Sequence, residues 1–403
     1  MLAKFSCDKS RIYEGIILLA IFLSPFLTWR IGAINYNYSD LLFSLSAVFL
    51  FIQYSYKISF SMPILLWFLG SNILILFLGV SSLIQANNIQ NSIIVILQYG
   101  FSIFLLPIIL LKLDDKALCK CIKAWLIAVA IIGFKALLMA YGFIDPALLS
   151  GNMMSGYRYA SFMENPNTLA KAISISIALI LLLNSTTYKI KSKFNCGFIF
   201  LGYIGGLVAS SSFAGLISAL FVICIYSMFS LNRRVIFTLF ILVLAMILFI
   251  VWFDFLIPDV FQRRVIRLIY SRDYSSAGSF LERVDRIYEA LLIIDRDVLF
   301  GIGADGYRDI APLVHNTFLL VFAEGGIFAL LGFLLLLLSV SISAVKLWLI
   351  NYSLGVAAVA VISVFALNAL TTNHLYGRHW IIPLFLGFVL MERIIHNSSL
   401  LEE

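Results

Sequence analysis

Charge is what this chain has least of. Asp, Glu, Lys and Arg together make up 12% of its 403 residues, against about 25% in an ordinary soluble domain. So few charges cannot cover a surface facing water, which excludes a soluble globular protein. Histidine is scarce too, with four in the chain, and cysteine numbers five: Cys7, Cys119, Cys121, Cys196 and Cys224. All five cysteines fall on predicted cytoplasmic segments or inside apolar runs, so no external disulfide is implied. Cys119-Lys-Cys121 has no further Cys or His nearby in sequence to complete a metal site. There is no phosphate-binding Walker loop, no low-complexity tract, no evident internal repeat and no soluble domain of usual size.

What the chain has instead is apolar length. Hydrophobic residues make up 62% and the mean hydropathy is +1.03. A helix that crosses a bilayer needs roughly 20 apolar residues. Such stretches occur near 12–29, 40–56, 64–84, 91–111, 124–143, 168–184, 196–211, 214–231, 235–253, 326–345, 354–371 and 380–396. The seventh and eighth meet at "ASSSFAG" and could form a broken pair. The expected fold is an all-α integral membrane protein of about twelve transmembrane helices, a single polytopic domain over 1–403. The first run is long and no small-residue cleavage site follows it, so it does not read as a cleavable signal peptide.

Basic residues set the orientation. With the N-terminus in the cytoplasm, the inside segments hold Lys4, Lys9, Arg11, Lys57, Lys112, Lys116, Lys120, Lys123, Lys189, Lys191, Lys193, Arg233, Arg234, Lys346 and Arg393. The outside segment "QANNIQ" at 85–90 has no charge. Both termini are then cytoplasmic, and the net charge of +7 is mainly a topology signal that does not point to nucleic acid. The outside cations are all arginine, including Arg158, Arg283, Arg286, Arg308 and Arg378. Arginine grips phosphate and carboxylate with two parallel hydrogen bonds; pairing with the acids of the same loops would equally explain most of them.

One outside loop, 254–314, is far longer than the rest, and long loops in compact folds usually carry function. Its middle, "SFLERVDRIYEALLIIDRDVLFGIG", places Phe280, Val284, Ile287, Leu291 and Ile294 at helical spacing. It reads as an amphipathic helix lying over the membrane entrance, closed by the glycine turn "GIGADGYRD". Gly301-x-Gly303-x-x-Gly306 copies a dinucleotide fingerprint in letters only, because no strand precedes it. The shorter outside loop 144–167 ends in Asn-Pro-Asn, a turn followed by a helix start. Lys135 and Lys171 lie within apolar stretches, where a charge faces a cavity or partner or, for Lys171, snorkels to the interface.

Four stretches, in order, resemble the O-antigen polymerase and O-antigen ligase superfamily of bacterial membrane glycosyltransferases. They are "SFMENPNTLA", "SSSFAGLISAL", "ERVDRIYEALLIIDRDVLFGIGADGY" and "HNTFLLVFAEGGIFALLGFLL", spanning about 150–345. Two departures stand out: Phe213 occupies a turn position where the family often has arginine, and Ala329 stands for the last motif's second glycine. Arg158, beside Asn-Pro-Asn, is a candidate to stand in for the arginine absent at Phe213.

The resemblance implies glycan transfer from an undecaprenyl-pyrophosphate-linked oligosaccharide to a glycan acceptor, at the outer face of the bacterial inner membrane, with no metal and no cofactor. The expected product is an O-antigen or capsular chain; the alternatives are a ligase acting on lipid A-core and, from a different class, a polysaccharide flippase. A transporter concentrates charge near the bilayer midplane, whereas this chain concentrates it in one loop. A chain-length regulator is a further expected partner, besides the bilayer itself. A departing pyrophosphate needs fixed cations, a role the resemblance gives to Arg283, with Arg158 and Arg378 as further phosphate contacts. A sugar hydroxyl needs a base, and the resemblance gives that role, through its His-Asn motif, to His315 at the end of the large loop; histidine changes charge near neutrality, and a helix-start histidine with no chemistry is the other reading of this residue. Asn316 caps the following helix or orients the imidazole. Glu324 with Gly325-Gly326 reads as a helix break, with Glu324 the alternative base. His374 and His379 flank Arg378 in "NHLYGRH" and either bind glycan or phosphate or line the surface.

Overall fold

A computed structural model of the protein describes residues 2–29, 36–53, 60–145, 153–154, 158–163, 165–190, 192–229, 261–262 and 280–399. It is almost wholly helical: α1 Leu2–Leu23, α2 Tyr38–Gln53, α3 Met62–Gln85, α4 Ile89–Leu111, α5 Asp115–Ala140, α6 Pro166–Asn184, α7 Lys193–Ser210, α8 Phe213–Phe229, α9 Phe280–Arg296, α10 Tyr307–Ile310, α11 Thr317–Ile350, α12 Tyr352–Ala369 and α13 Arg378–Ser399. Strands Met153–Met154 and Arg158–Tyr159 form a short antiparallel pair. Among the described residues seven helices, α3 to α6 and α11 to α13, are long and apolar enough to cross a membrane. Shorter apolar helices cover Ile12–Leu23, Tyr38–Phe51, Phe194–Ser210 and Phe213–Phe229. The expected stretch 235–253 lies outside the described residues, as do 254–260 and 263–279 of the long loop.

The seven long helices are apolar over most of their length, as a lipid solvent demands. On α3, Trp67, Leu74 and Leu78 are buried while Leu65, Leu69, Leu76 and Leu83 are exposed. Burial therefore follows neighbouring helices rather than polarity. The described chain gathers into two compact units, one from Met1–Gln53, Leu113–Gly278 and Trp348–Val364, the other from Tyr54–Lys112, Ser279–Leu347 and Phe365–Glu403.

In the first unit, α5 and α7 cross at glycine. A Cβ on Gly133 would stand 2.1 Å from the Gly202 carbonyl oxygen, and one on Gly202 would stand 2.4 Å from that of Ala130. Small residues let apolar helices approach this closely in a membrane, where packing rather than hydrophobicity holds them. Trp125 Nε1 donates to Ser176 Oγ at 3.0 Å, pinning α5 to α6. Lys135 is buried, and its Nζ lies 3.4 Å above the centre of the Phe162 ring. Phe162 packs in turn on Phe26 and Trp29. A charge inside a span is thus met by an aromatic face.

In the second unit, Gly70 of α3 sits against α11, where a Cβ would come 2.7 Å from the Gly332 carbonyl oxygen. Residues Gly100–Leu105 of α4 form a wide π turn. The Ile103 carbonyl accepts from both Trp67 Nε1 and Ser71 Oγ, at 2.9 and 3.0 Å. Trp67 packs on Phe385 and Phe388 of α13.

Helix α11 is broken. Gly326 has φ 69° and ψ −171° in the middle of it, as the sequence Glu-Gly-Gly suggests. The glycine loop before α10 enters the break. Ile302 N–H donates to the Ala323 carbonyl and Gly303 N–H to the Glu324 carbonyl, each at 2.9 Å, while Ile327 N–H donates to the Val298 carbonyl at 2.9 Å. Ser81 Oγ reaches the Glu324 carbonyl at 2.6 Å and accepts from Gly303 N–H at 2.7 Å. Backbone groups freed by a break inside a span must find partners in the protein, and these contacts supply them.

Candidate functional site

The entrance to α11 is built by the second unit. Asn316 is the helix cap: its Oδ1 accepts from the N–H groups of Phe318 and Leu319, at 3.0 and 3.2 Å. Thr317 Oγ1 donates to the Thr372 carbonyl at 2.9 Å, tying this helix start to the turn before α13. His315, one residue earlier, is exposed.

Helix α9 lies against the same segment. Arg286 Nη1 donates to the Pro312 carbonyl at 2.9 Å and Nη2 to Glu282 Oε1 at 2.5 Å. Beneath it Ala290, Ile293 and Ile294 pack with Tyr307, Val314, Leu320 and Ala323. The buried stripe differs from the expected one, since Ile287 and Leu291 are exposed and only Ile294 of that trio is buried. The buried face is the one that meets Tyr307, Val314, Leu320 and Ala323, partners that the apolar spacing alone does not name.

Glu282 sits among cations. Its carboxyl is held below the usual range by the hydrogen bond and charge of Arg286, and further by His315 and Arg283. Arg283 is half-buried on the next position of α9. The structure therefore brings His315, Asn316 and Arg283 to one entrance. Arg378, half-buried, opens α13 from the turn that Thr372 ties to this entrance.

Arg158 belongs to the first unit. Its Nε donates to the Ser210 carbonyl at 2.8 Å and its Nη2 to Asn167 Oδ1 at 2.7 Å; Ser212 Oγ donates to the same oxygen at 2.9 Å. One buried guanidinium thus joins the Asn-Pro-Asn helix start to the Ser-Ser-Ser-Phe turn, two of the stretches that carried the resemblance. Asn165 Oδ1 accepts from Asn167 N–H at 2.9 Å and starts α6.

Below the entrance of the second unit lies a polar cluster that sequence reasoning singled out only in pieces. Glu324 is fully buried on the last turn before the break. Neither carboxylate oxygen has a partner at hydrogen-bond geometry. Tyr376 stacks on His374, with centroids 4.8 Å apart, and meets Tyr99 edge-on at 5.1 Å. Burial pushes the Tyr376 phenol up, helped by the charge of Glu324. Burial also raises the Asp305 carboxyl, which pairs with Arg308 Nε at 3.3 Å. Arg308 and Glu282 had no sequence signal stronger than their spacing to Asp305 and Arg286, at i+3 and i+4.

No protein-family model matches the chain, and no curated protein matches it.

Proposed function

We propose that the chain is a polytopic membrane glycosyltransferase: a polymerase joining undecaprenyl-pyrophosphate-linked oligosaccharide repeat units into O-antigen or capsular polysaccharide at the outer face of the bacterial inner membrane. The observation that carries this reading is the placement of His315. An exposed imidazole stands at the capped entrance of a broken apolar helix, beside a helix that carries Arg283 and Arg286. A lipid-borne anion and a water-soluble acceptor can meet only at such a boundary. Twelve spans, cytoplasmic termini and an outside location for 254–314 complete the topology, supported by the lysine-rich inside segments.

In this mechanism the acceptor sugar hydroxyl attacks the anomeric carbon of the lipid-linked glycan. His315 takes the hydroxyl proton as the new glycosidic bond forms. The bond from the anomeric carbon to the pyrophosphate oxygen breaks, and the lipid pyrophosphate leaves with its electron pair. Arg283 and Arg378 stabilise the charge that grows on the departing oxygen. Glu282 stays ionised and holds Arg286 in place. Arg158 acts through the first unit, fixing the two turns it joins.

Surface glycan from a strain lacking the protein tests the assignment. Core carrying a single repeat unit is the expected result. Bare core would make the protein a ligase instead, and lipid-linked units trapped in the cytoplasmic leaflet would make it a flippase.

A further inference from the structure

His374, in the turn before α13, is a buried polar side chain, 9% exposed, with both of its ring nitrogens, Nδ1 and Nε2, unpartnered. Buried polar groups in folded proteins nearly always have partners, and an unmade bond of this kind carries the full cost of desolvation. The ring is not free to turn away. It stacks on Tyr376 with the planes 25° apart. Its own backbone is fixed from both sides: its N–H donates to Asn373 Oδ1 at 3.1 Å and its carbonyl accepts from Trp380 Nε1 at 3.1 Å. A preorganised imidazole with two idle nitrogens is a contact waiting for a ligand.

The charge state narrows the ligand. Burial pushes the imidazole down to about 3, and the positive charges of Arg308 and His315 push the same way. The ring is therefore neutral throughout the physiological range, with one N–H to give and one lone pair to receive. A phosphate oxygen only accepts, so it would use the N–H and leave the second nitrogen idle. A sugar hydroxyl both gives and accepts and can serve either nitrogen. The adjoining Tyr376 ring, half-buried, adds an apolar face of the kind that ligand sites combine with a few placed polar groups.

We propose that His374 is a sugar-contacting residue, the buried floor of a subsite that receives a hydroxyl of the acceptor glycan beneath His315. The proposal deepens the glycosyltransferase reading and rests on it for the word acceptor, but not for the claim that His374 binds a saccharide hydroxyl.

The chain has four histidines, which makes a direct spectroscopic test practical. The full-length protein, labelled with nitrogen-15 in histidine and purified in detergent, is titrated with N-acetylglucosamine, with glucose and separately with inorganic pyrophosphate. The His374 signals are assigned by elimination from His315→Gln, His379→Gln and His396→Gln, so the measurement does not depend on a His374 variant folding. The expected result is that a saccharide shifts both His374 nitrogens while they remain those of a neutral ring, and that the shift persists in His315→Gln. In a polymerisation assay His374→Gln should raise the acceptor KM about three- to tenfold, the loss of one or two neutral hydrogen bonds, with kcat less affected. Unmoved His374 signals with either saccharide, or a shift with pyrophosphate alone, would overturn the proposal. Failure of His315 as the base would leave the saccharide shift in place, so the two readings fail separately.

Discussion

Gly326→Ala tests whether the break in α11 is built or incidental. With φ 69° and ψ −171°, Gly326 occupies a region that is open essentially to glycine alone, and holding another residue there costs about 1–3 kcal/mol. Space adds to the strain. A Cβ would lie 2.0 Å from the Leu299 carbonyl oxygen and 2.7 Å from Phe300 N, both backbone atoms of the segment whose Val298 carbonyl accepts from Ile327 N–H. Relief requires that segment to move and to give up the bonds from Ile302 and Gly303 that fill the break. Taken together the loss should exceed roughly 3 kcal/mol, about a hundredfold in the folded-to-unfolded ratio. The assay is folded yield and thermal unfolding in detergent, with Gly79→Ala as control. A Cβ on Gly79, also helical and in the same unit, meets nothing within 4 Å, so alanine there should leave stability equal or slightly better. A Gly326→Ala protein as stable as the Gly79→Ala control would refute the account of the break.

Arg158→Lys should lower folded abundance, because lysine cannot reach Ser210 and Asn167 at once; wild-type abundance with lost activity would move Arg158 from clamp to phosphate contact. Arg283→Lys should lose most glycan synthesis at normal protein level, since a bidentate grip is lost while the charge is kept; full-length glycan would reduce Arg283 to a solvated charge. Acid should destabilise the protein through His374. The unfolded imidazole takes up its proton near 6.5 and the folded one only near 3. The unfolded state therefore binds more protons between these values, and stability falls as pH drops through that window. A stability curve from pH 6.5 to 3 that is unchanged by His374→Gln would contradict this.

The helical, membrane-type fold was legible because lipid as solvent leaves its mark on composition: apolar runs at 64–84, 91–111, 124–143, 168–184, 326–345, 354–371 and 380–396 fall on the seven long helices. The break at Gly326 was legible from Glu-Gly-Gly, and the cap at Asn316 from its place before an apolar run. The buried face of α9 was not, because its stripe is the one packed on Tyr307, Val314, Leu320 and Ala323, contacts between segments that the spacing within one helix does not encode. The link from Arg158 to Ser210 spans 52 residues and was equally hidden, although both its ends lay in stretches already singled out. Most hidden was the cluster of Tyr99, Glu324, His374 and Tyr376. Its members come from α4, from α11 and from the turn before α13, and periodicity carries no information about which helices and turns meet.

The most direct test of the central claim is polymerisation by His315→Gln, measured on purified protein with lipid-linked repeat units. A general base contributes about 10²- to 10⁴-fold, whereas an exposed residue beside a helix cap contributes stability alone. Glutamine keeps a polar side chain but takes no proton near neutrality. The account predicts a folded variant at wild-type abundance whose rate falls by at least about a hundredfold. A variant that polymerises at the wild-type rate would contradict it and leave the buried carboxyl of Glu324 as the group to examine.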